Sequence, residues 1–370
     1  MQRPLMNTKQ TKQNISNKPF DFARDKKVFV GLSGGVDSAV SAALLKQQGF
    51  QVTGVFIKVW SPDFLPCTWK DERRDAMRIA AQLDIPFLFF DFEKEYKEGV
   101  ADYMISEYKN GRIPNPDVMC NKEIKFGAFW NKAKAMGADY LATGHYARNI
   151  KNSLYEGIDK EKDQSYFLWT LTNDDLSHIL FPIGDFKKDA VRKLAKKFGL
   201  FVSEKKDSQG ICFLGDVSLE DFLPHFIDIK PGLVLDRRGN VIGTHKGAIY
   251  YTIGERRGFE VTKKDNVNNI FYVVSKDMNQ NTVTVSNNES EIKKLSPRKI
   301  AMINYNQIHT NLYKNITARI RYRGEKLKIK VSNTTVEFET PINALSLGQS
   351  IVFYSKDQCL GGAIINKILN

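Results

Sequence analysis

The segment Ser33–Ser38, with the sequence Ser-Gly-Gly-Val-Asp-Ser, combines residue types that bind phosphate. An apolar run, Lys27–Leu32, precedes it and has the pattern of a buried parallel strand. The residues after it, Ala39–Gln48, favour a helix that ends at Gly49. A glycine-rich turn between strand and helix directs backbone N–H groups and the helix dipole at an anion. A plain turn needs one glycine rather than a serine-flanked pair, so the segment predicts a nucleotide phosphate site.

The type of loop narrows the nucleotide chemistry. No lysine follows the glycines as in P-loop hydrolases, and the Gly-x-Gly-x-x-Gly spacing of dinucleotide folds is missing. The segment resembles the pyrophosphate loop (PP-loop) of the ATP pyrophosphatases, which cleave ATP between its α and β phosphates and adenylate a substrate. The resemblance implies that the loop amides and the hydroxyls of Ser33 and Ser38 hold the leaving pyrophosphate, and that Asp37 helps to place Mg²⁺.

Composition limits the class of protein. A chain of 370 residues with 42% hydrophobic residues predicts a globular protein of two or three domains. No apolar run is long enough for a membrane span, and residues 1–24 lack the apolar segment of a signal peptide. We therefore expect a disordered extension at 1–24 and a cytoplasmic protein with no membrane partner. The net charge of +13 is concentrated in Lys187–Lys206 and Arg319–Lys330, which indicate either a polyanion-binding surface or solvated faces.

The order of the elements predicts the fold. Strand and helix patterns alternate from Lys27 to Thr143, which is typical of an α/β, doubly wound parallel sheet, here of the PP-loop ATPase (adenine nucleotide alpha hydrolase-like) type that the loop resembles. The loop would leave the carboxyl end of the first strand, where such sheets bind ligands. From Ile270 onward, short strands predict a small antiparallel barrel or sandwich. We expect a catalytic domain at 25–214, a central domain at 215–287 and a C-terminal β-barrel at 288–370.

Two of the four cysteines occur in loops that suit sulfur chemistry. The four cysteines, Cys67, Cys120, Cys212 and Cys359, are widely spaced, which argues against a disulfide framework or a zinc ribbon. Free cysteines of this kind are usually buried as small apolar residues. Cys120 falls near a predicted helix start, where the dipole stabilises a thiolate. The alternative is that Asp117 is an N-cap and Cys120 a packed first-turn residue. With Cys212 in another lysine-flanked loop, one thiol could carry a sulfane sulfur while the other resolves the disulfide.

Eight separated motifs follow one another in a single order from Lys27 to the C-terminus. They are Gly31–Ser38, Gly111–Phe126, Ala142–Tyr146, Lys162–Leu168, Lys206–Phe213, Tyr251–Gly254, Arg319–Arg323 and Cys359–Gly362. Together they resemble the motifs of the tRNA-specific 2-thiouridylases, the bacterial enzymes that convert the wobble uridine of certain tRNAs to 2-thiouridine.

The resemblance implies a role for each matching residue. Binding of ATP would fall to Gly31, Leu32, Ser33, Gly34, Gly35, Val36, Asp37, Ser38, Ile57 and Gly144. Contact with the target base would come from Asn115, Pro116 and Asp117, with Asp117 also the acid/base. Cys120 would be the nucleophile and Cys212 the persulfide carrier, joined in a transient Cys120–Cys212 disulfide. Contact with tRNA would come from His145, Lys162, Asp163, Gln164, Arg321, Tyr322 and Gln349.

The implied reaction is an ATP-dependent sulfur transfer to tRNA. ATP, accompanied by Mg²⁺, would adenylate the 2-oxygen of uridine, and a persulfide sulfur would then displace AMP. The target base can be extruded at low cost because the anticodon loop is single-stranded. The expected partners are tRNA, through its anticodon loop, and a sulfur-donor protein, and the chain is expected to be a monomer.

Three other interpretations stay open at this stage. A PP-loop enzyme that amidates a small molecule leaves the two thiols unexplained, and a non-catalytic RNA-binding protein leaves the PP-loop without a use. In a third, Asp117, Cys120 and Cys212 bind a metal or an iron–sulfur cluster. The sequence also departs from the family at Leu347–Gln349, where Pro-Gly-Gln is usual, and Arg257–Asp265 is poor in glycine. The segment Trp60–Trp69 has no assigned role, and within it we expect Cys67 to be structural.

Overall fold

The computed structural model describes residues 25–65, 69–206, 217–262, 270–288, 290, 292, 296–308, 315–342 and 345–369. The predicted extension at 1–24, Cys67 and Cys212 lie outside these residues.

The first part of the chain alternates strands and helices, as the sequence predicted. Its elements are β1 (Lys27–Gly31), α1 (Val36–Gln47), β2 (Gln51–Lys58), α2 (Trp69–Gln82), β3 (Phe87–Asp91), α3 (Glu93–Tyr96), α4 (Asp102–Lys109), α5 (Pro116–Met119), α6 (Phe129–Ala135), β4 (Tyr140–Ala142), β5 (Ala147–Asn149), β6 (Leu154–Glu156), α7 (Asn173–Leu176), β7 (Ile179–Leu180) and α8 (Lys188–Lys197). Wide π-helical turns, Lys97–Ala101 and Cys120–Ala128, join α3 to α4 and α5 to α6. Tighter 3₁₀ turns are formed by Ser165–Leu168 and Phe201–Glu204.

The sheet of this part is parallel, in the order β3-β2-β1-β4-β7 among the described residues. Successive side chains of β1 enter opposite cores, because strand side chains alternate between faces. Phe29 packs in one core with Phe129 of α6, and Val28 and Val30 pack in the other with Val40 of α1. The prediction of a doubly wound α/β fold is therefore confirmed. From β1 the chain first adds β2 and β3 on one side of the sheet and then β4 and β7 on the other. The loops that follow β1 and β4 therefore diverge and leave a crevice between them.

A central sheet follows a short helical segment. Its elements are α9 (Leu219–Phe222), the 3₁₀ turns Leu223–His225 and Ala248–Tyr250, β8 (Gly232–Leu235), β9 (Val241–His245), β10 (Phe259–Val261), β11 (Tyr272–Asp277) and β12 (Thr282–Ser286). The order is β10-β9-β8-β12-β11, with β8 and β12 parallel. The expectation that all strands after Ile270 form one antiparallel unit is wrong for β11 and β12, because β12 pairs with β8 across a long chain connection.

The last strands close into a barrel. They are β13 (Lys299–Gln307), β14 (Thr317–Arg319), β15 (Leu327–Ser332), β16 (Thr335–Phe338), β17 (Ser350–Ser355) and β18 (Gln358–Leu369). The order β13-β16-β15-β14-β17-β18 is closed by pairing of β13 with β18, which confirms the predicted barrel. The β5–β6 hairpin of the first domain joins the same sheet at the edge of β18, where Tyr155 pairs with Gln358. The sheet is therefore continuous between the two domains.

A buried charge network reinforces this junction. The Glu156 carboxylate, at the end of β6, lies 3.0 Å from the Arg319 guanidinium, 2.9 Å from the Lys326 ammonium and 2.8 Å from that of Lys160. Arg319 also donates to the carboxylate of Asp163 at 3.0 Å. Burial acts to raise the pKa of Glu156, but the hydrogen bonds from Lys160 and Lys326 outweigh it and hold the pKa below its usual value. The network thus binds the barrel to the first domain through ionised groups.

Replacing Arg319 tests this junction. We expect Arg319→Met to destabilise the protein by about 3 kcal/mol, because it leaves two buried carboxylates without their shared cation. Lys328→Met is the matched control: Lys328 pairs with Glu339 on the barrel surface, where the pair is exposed and contributes little. Urea denaturation followed by tryptophan fluorescence measures both variants. Equal stability of Arg319→Met and the wild type would contradict a structural role for the network.

Candidate active site

The loop between β1 and α1 has the backbone geometry that a phosphate site requires. The N–H of Leu32 donates to the carbonyl of Val55 at 2.8 Å and extends the sheet contact before the chain turns. Gly34 then adopts a φ of +75°, and a Cβ at this position would lie 2.7 Å from the carbonyl oxygen of Glu72. Both the positive φ and the close approach require glycine here.

The two serines of the loop hold it in a closed turn. The Ser38 hydroxyl accepts from the Ser33 N–H at 3.2 Å and donates to the Gly35 carbonyl at 3.2 Å, and the two hydroxyl oxygens lie 3.3 Å apart. Gly35 is the N-cap of α1 and no side chain caps the helix there. The hydroxyls and the positive end of the helix dipole therefore occupy the same turn, which suits an anion.

The carboxylate of Asp37 is the centre of a charged group at the mouth of α1. The Lys188 ammonium lies 2.8 Å from each of its oxygens, and the Tyr146 hydroxyl donates to Oδ1 at 2.8 Å. Lys188 is buried. One carboxylate together with phosphate oxygens is a usual donor set for Mg²⁺, so Asp37 fits an ion held mainly by the nucleotide. Lys188 already places one positive charge at this position.

The loop after β4 forms the other wall of the crevice. A Cβ on Gly144 would lie 2.8 Å from the backbone nitrogen of Ser38. The two loops can therefore approach this closely only because residue 144 has no side chain. Ile57, near the carboxyl end of β2, is half-buried at the same edge of the sheet. The candidate ATP residues from β1, β2 and β4 thus lie along one edge.

His145, in the same loop, is buried under the crevice. Its Nδ1 lies 2.7 Å from the Thr143 hydroxyl, and its Nε2 lies 3.5 Å from the Lys125 ammonium. Burial, with a smaller contribution from the nearby charge of Lys125, holds the pKa of His145 well below its usual value. The ring is therefore neutral at physiological pH, and contact with tRNA stays a prediction for this residue.

The loop with the predicted base contacts leads into a short helix. Asn115 is the N-cap of α5 and its side chain accepts from the Val118 N–H at 3.3 Å, while Pro116 occupies the first turn. The alternative that Asp117 is the N-cap is therefore wrong, because Asn115 caps the helix and Asp117 lies within its first turn. Asp117 is half-buried. Its proposed acid/base role stays a prediction.

Cys120 is buried at the point where α5 widens into π-helical turns. The residue is 3% exposed and packs in the same core as Phe126 and Phe222. π-Helical turns are rare and are frequent at functional sites. Cys212 lies outside the described residues, so its pairing with Cys120 stays a prediction. The chain that leads towards Cys212 is anchored at the crevice, since the Lys205 ammonium donates to the Gly34 carbonyl at 3.0 Å.

The predicted tRNA contacts of the first domain lie in the loop after β6. Lys162 and Gln164 are half-buried, and Gln164 exchanges hydrogen bonds with the backbone of Tyr146 at 2.9 and 3.0 Å. Asp163 is 2% exposed and accepts from Gly157, Ser165 and Arg319. Burial raises the pKa of Asp163, although these hydrogen bonds oppose the rise. Its visible role is to hold the loop, and a direct contact with tRNA stays a prediction.

The barrel places its predicted contacts beside that loop. Arg321 is exposed, and the Tyr322 ring lies 4.5 Å from the ring of Phe167. The guanidinium of Arg323 lies 4.9 Å above the Tyr322 ring. The two domains line a shared cleft there, to which the first domain contributes Lys160, Glu161 and Lys162 and the barrel contributes Arg319 and Arg323. Four of these five side chains are basic. Gln349 lies elsewhere on the barrel, against the loop that precedes α5.

Sequence reasoning missed three residues of the crevice. Lys188 and Lys205 belong to the basic block that the sequence assigned to a polyanion surface, yet both side chains reach the PP-loop. Tyr146 was quoted in a motif without a role, and it bonds Asp37. The two lysines come from different elements: Lys188 is the first residue of α8, which packs on α1 in the shared core, and Lys205 follows the 3₁₀ turn Phe201–Glu204.

The unassigned segment after β2 contacts the central domain. The Phe64 ring stacks on the His225 ring with centroids 3.6 Å apart, and Trp60 and Phe64 both pack near Phe226. Residues 66–68 of this segment lie outside the described residues. The segment therefore links the strand that carries Ile57 to the helical start of the central domain.

The fold and the crevice define a PP-loop type nucleotide-binding domain followed by a central five-stranded sheet and a closed β-barrel. Family models match in the same arrangement: the tRNA methyl transferase HUP domain at residues 26–216, the tRNA methyl transferase PRC-barrel domain at 220–287, and the aminomethyltransferase beta-barrel domain at 298–365. No helix among the described residues is long and apolar enough to cross a membrane.

Curated relatives match over nearly the whole chain. The chain is 44% identical to tRNA-specific 2-thiouridylase MnmA 1 of Geobacillus kaustophilus, over 94% of this chain and 97% of that protein. It is 42% identical to tRNA-specific 2-thiouridylase MnmA of Bacillus pumilus, over 93% of this chain and 96% of that protein. The chain belongs to the tRNA-specific 2-thiouridylase family. This confirms the resemblance on which the site residues were assigned.

Proposed function

We propose that this protein is an ATP-dependent tRNA-uridine 2-sulfurtransferase that thiolates the wobble uridine. The observation that carries the proposal is the crevice, where a PP-loop and the anchored start of the Cys212 segment meet in a member of the 2-thiouridylase family. The basic cleft shared by the first domain and the barrel supports tRNA as the substrate. A sulfur-donor protein supplies the persulfide, and the protein acts in the cytoplasm as a monomer.

The first step activates the uridine. The 2-oxygen attacks the α phosphorus of ATP, the bond to the β phosphate breaks, and pyrophosphate leaves against the backbone of Ser33–Ser38. Asp37 would hold a Mg²⁺ ion that accompanies ATP, and the ion would supply positive charge for the departing pyrophosphate. Lys188 contributes a fixed positive charge beside that position. Asp117 accepts the proton that the uridine N3 loses as its oxygen becomes nucleophilic.

The second step replaces oxygen by sulfur. The terminal sulfur of the Cys212 persulfide attacks C2 of the adenylated uridine, and AMP departs with the former 2-oxygen. The Cys120 thiolate then attacks the Sγ of Cys212, which forms the Cys120–Cys212 disulfide and releases the 2-thiouridine sulfur. In a second order of events, Cys120 attacks first and the sulfide so released attacks C2. In both orders of events, an external thiol reductant reduces the Cys120–Cys212 disulfide and so restores the two cysteines.

Two anchors support an approach of Cys212 to Cys120. Cys212 comes seven residues after Lys205 in the sequence. Lys205 is bonded to the PP-loop. After the segment, Val217 packs against the core that contains Cys120. The residues that flank the segment therefore contact the PP-loop before it and the core that contains Cys120 after it.

Direct assay of the reaction tests the proposal. Protein, ATP, a persulfide donor and unmodified tRNA should yield tRNA that is retarded on a mercury-containing gel. We expect Cys212→Ala and Cys120→Ser to abolish this band, while Cys359→Ser leaves it, because Cys359 is buried in the barrel and burial raises its pKa to about 12. Thiolation by Cys212→Ala would refute the persulfide assignment. Absence of thiolated tRNA with the wild type would favour an RNA-binding protein or another PP-loop reaction.

Replacing one glycine tests the ATP site. We expect Gly34→Ala to weaken ATP binding by about 100-fold, because a Cβ at 2.7 Å from the Glu72 carbonyl must displace the loop. Gly199→Ala is the matched control: its φ is +67°, so it carries a similar backbone penalty of about 1 kcal/mol, but no atom lies within 4 Å of the added Cβ. Isothermal titration with a non-hydrolysable ATP analogue measures both. Equal affinity of the two variants would place ATP elsewhere.

A further inference from the structure

The side chain of Gln349 is bonded to the loop that precedes the predicted nucleophile. Its amide nitrogen lies 3.1 Å from the Ile113 carbonyl oxygen and 3.2 Å from that of Pro114. An amide group has two N–H donors, so these two contacts use both of them. The Ile113 N–H also donates to the Leu347 carbonyl at 2.8 Å. Three hydrogen bonds therefore join the turn before β17 to two successive residues of this loop.

Close backbone packing leaves the loop little room to move at this contact. Gly348 has a φ of +91°, and a Cβ there would lie 3.0 Å from both the nitrogen and the oxygen of Ile113. The neighbouring Arg112 donates to Asn366 of β18 at 3.0 Å. On the other side, a Cβ on Gly111 would lie 2.6 Å from the Met278 side chain of the central domain. Barrel and central domain thus hold the loop from two sides.

The held residues connect directly to the proposed reacting groups. Pro114 is followed by Asn115, the N-cap of α5, and Cys120 follows the last residue of α5. Pro114 and Pro116 fix their own backbone φ angles, which leaves fewer free torsions between Ile113 and the helix. The barrel contact thus lies on the residues that directly precede the helix leading to Cys120.

We propose that Gln349 is a positioning residue, which sets the placement of the Asn115–Cys120 segment from the barrel and acts on the reaction through that segment. The inference rests on the proposed function, in which Cys120 is a reacting thiol. The family resemblance implies a tRNA contact for Gln349. With both donors engaged by Ile113 and Pro114, the side chain offers RNA an acceptor oxygen and no free N–H.

The reactivity of Cys120 in the absence of tRNA and ATP tests this role. In Gln349→Met, which keeps the length of the side chain and removes both donors, we expect iodoacetamide to alkylate Cys120 about tenfold faster, because the buried thiol opens more often when two hydrogen bonds are lost. Mass spectrometry of the tryptic peptides reads each cysteine separately. Cys359 is the internal control, and its alkylation rate should be the same in Gln349→Met and in the wild type.

A second variant separates positioning from RNA binding. Arg321→Ala, on the exposed surface of the barrel, should weaken tRNA binding in a filter assay and leave the alkylation rate of Cys120 unchanged. Gln349→Met should raise the alkylation rate of Cys120 and lower kcat at saturating tRNA, whatever its effect on tRNA affinity. If the alkylation rate of Cys120 in Gln349→Met equals that of the wild type, the proposal is overturned, whether or not tRNA binding is weaker. Because the alkylation assay contains no substrate, its result does not depend on whether the protein thiolates tRNA.

Discussion

The burial of the Glu156 carboxylate between two domains is the constraint on which the rest of the structure depends. Three cations from the first domain and the barrel surround it, and it ends β6, the strand that pairs with β18 of the barrel. A buried charge must keep its partners, because an unpaired charge costs several kcal/mol. The two domains are therefore held in one arrangement, and the surfaces that each contributes form one site.

This arrangement explains how distant parts of the chain can serve one reaction. The PP-loop is at the carboxyl edge of the parallel sheet, and the loop before Cys120 is held between the barrel and the central domain. Cys120 is buried, which shields its thiol from oxidants in the solvent. Lys188 and Lys205 place positive charge at the PP-loop, so part of the basic character of the chain lies there and not in the cleft shared with the barrel.

Features encoded by residues that are close together in the sequence were predicted. Features that depend on contacts between residues far apart in the sequence were missed. The Ser33–Ser38 loop was recognised because glycine, serine and aspartate are required within six neighbouring positions. The bonds of Lys188 and Lys205 to this loop join residues more than a hundred positions apart, and no periodicity marks them. Strand β13 has no regular two-residue alternation in the sequence to mark it, because bulges interrupt the alternation of its side chains. The N-cap was assigned to Asp117 in one interpretation because aspartate and asparagine cap equally well, and Asn115 takes the position.

The central claim is that the PP-loop converts the 2-oxygen of uridine into a leaving group by joining it to AMP. Unmodified tRNA carrying oxygen-18 at position 2 of the wobble uridine tests this claim most directly. In a single turnover with ATP and the persulfide donor, the account predicts that the oxygen-18 appears in AMP, detected by mass spectrometry, in the same amount as the 2-thiouridine formed. Recovery of the label in water or pyrophosphate, with unlabelled AMP, would contradict it.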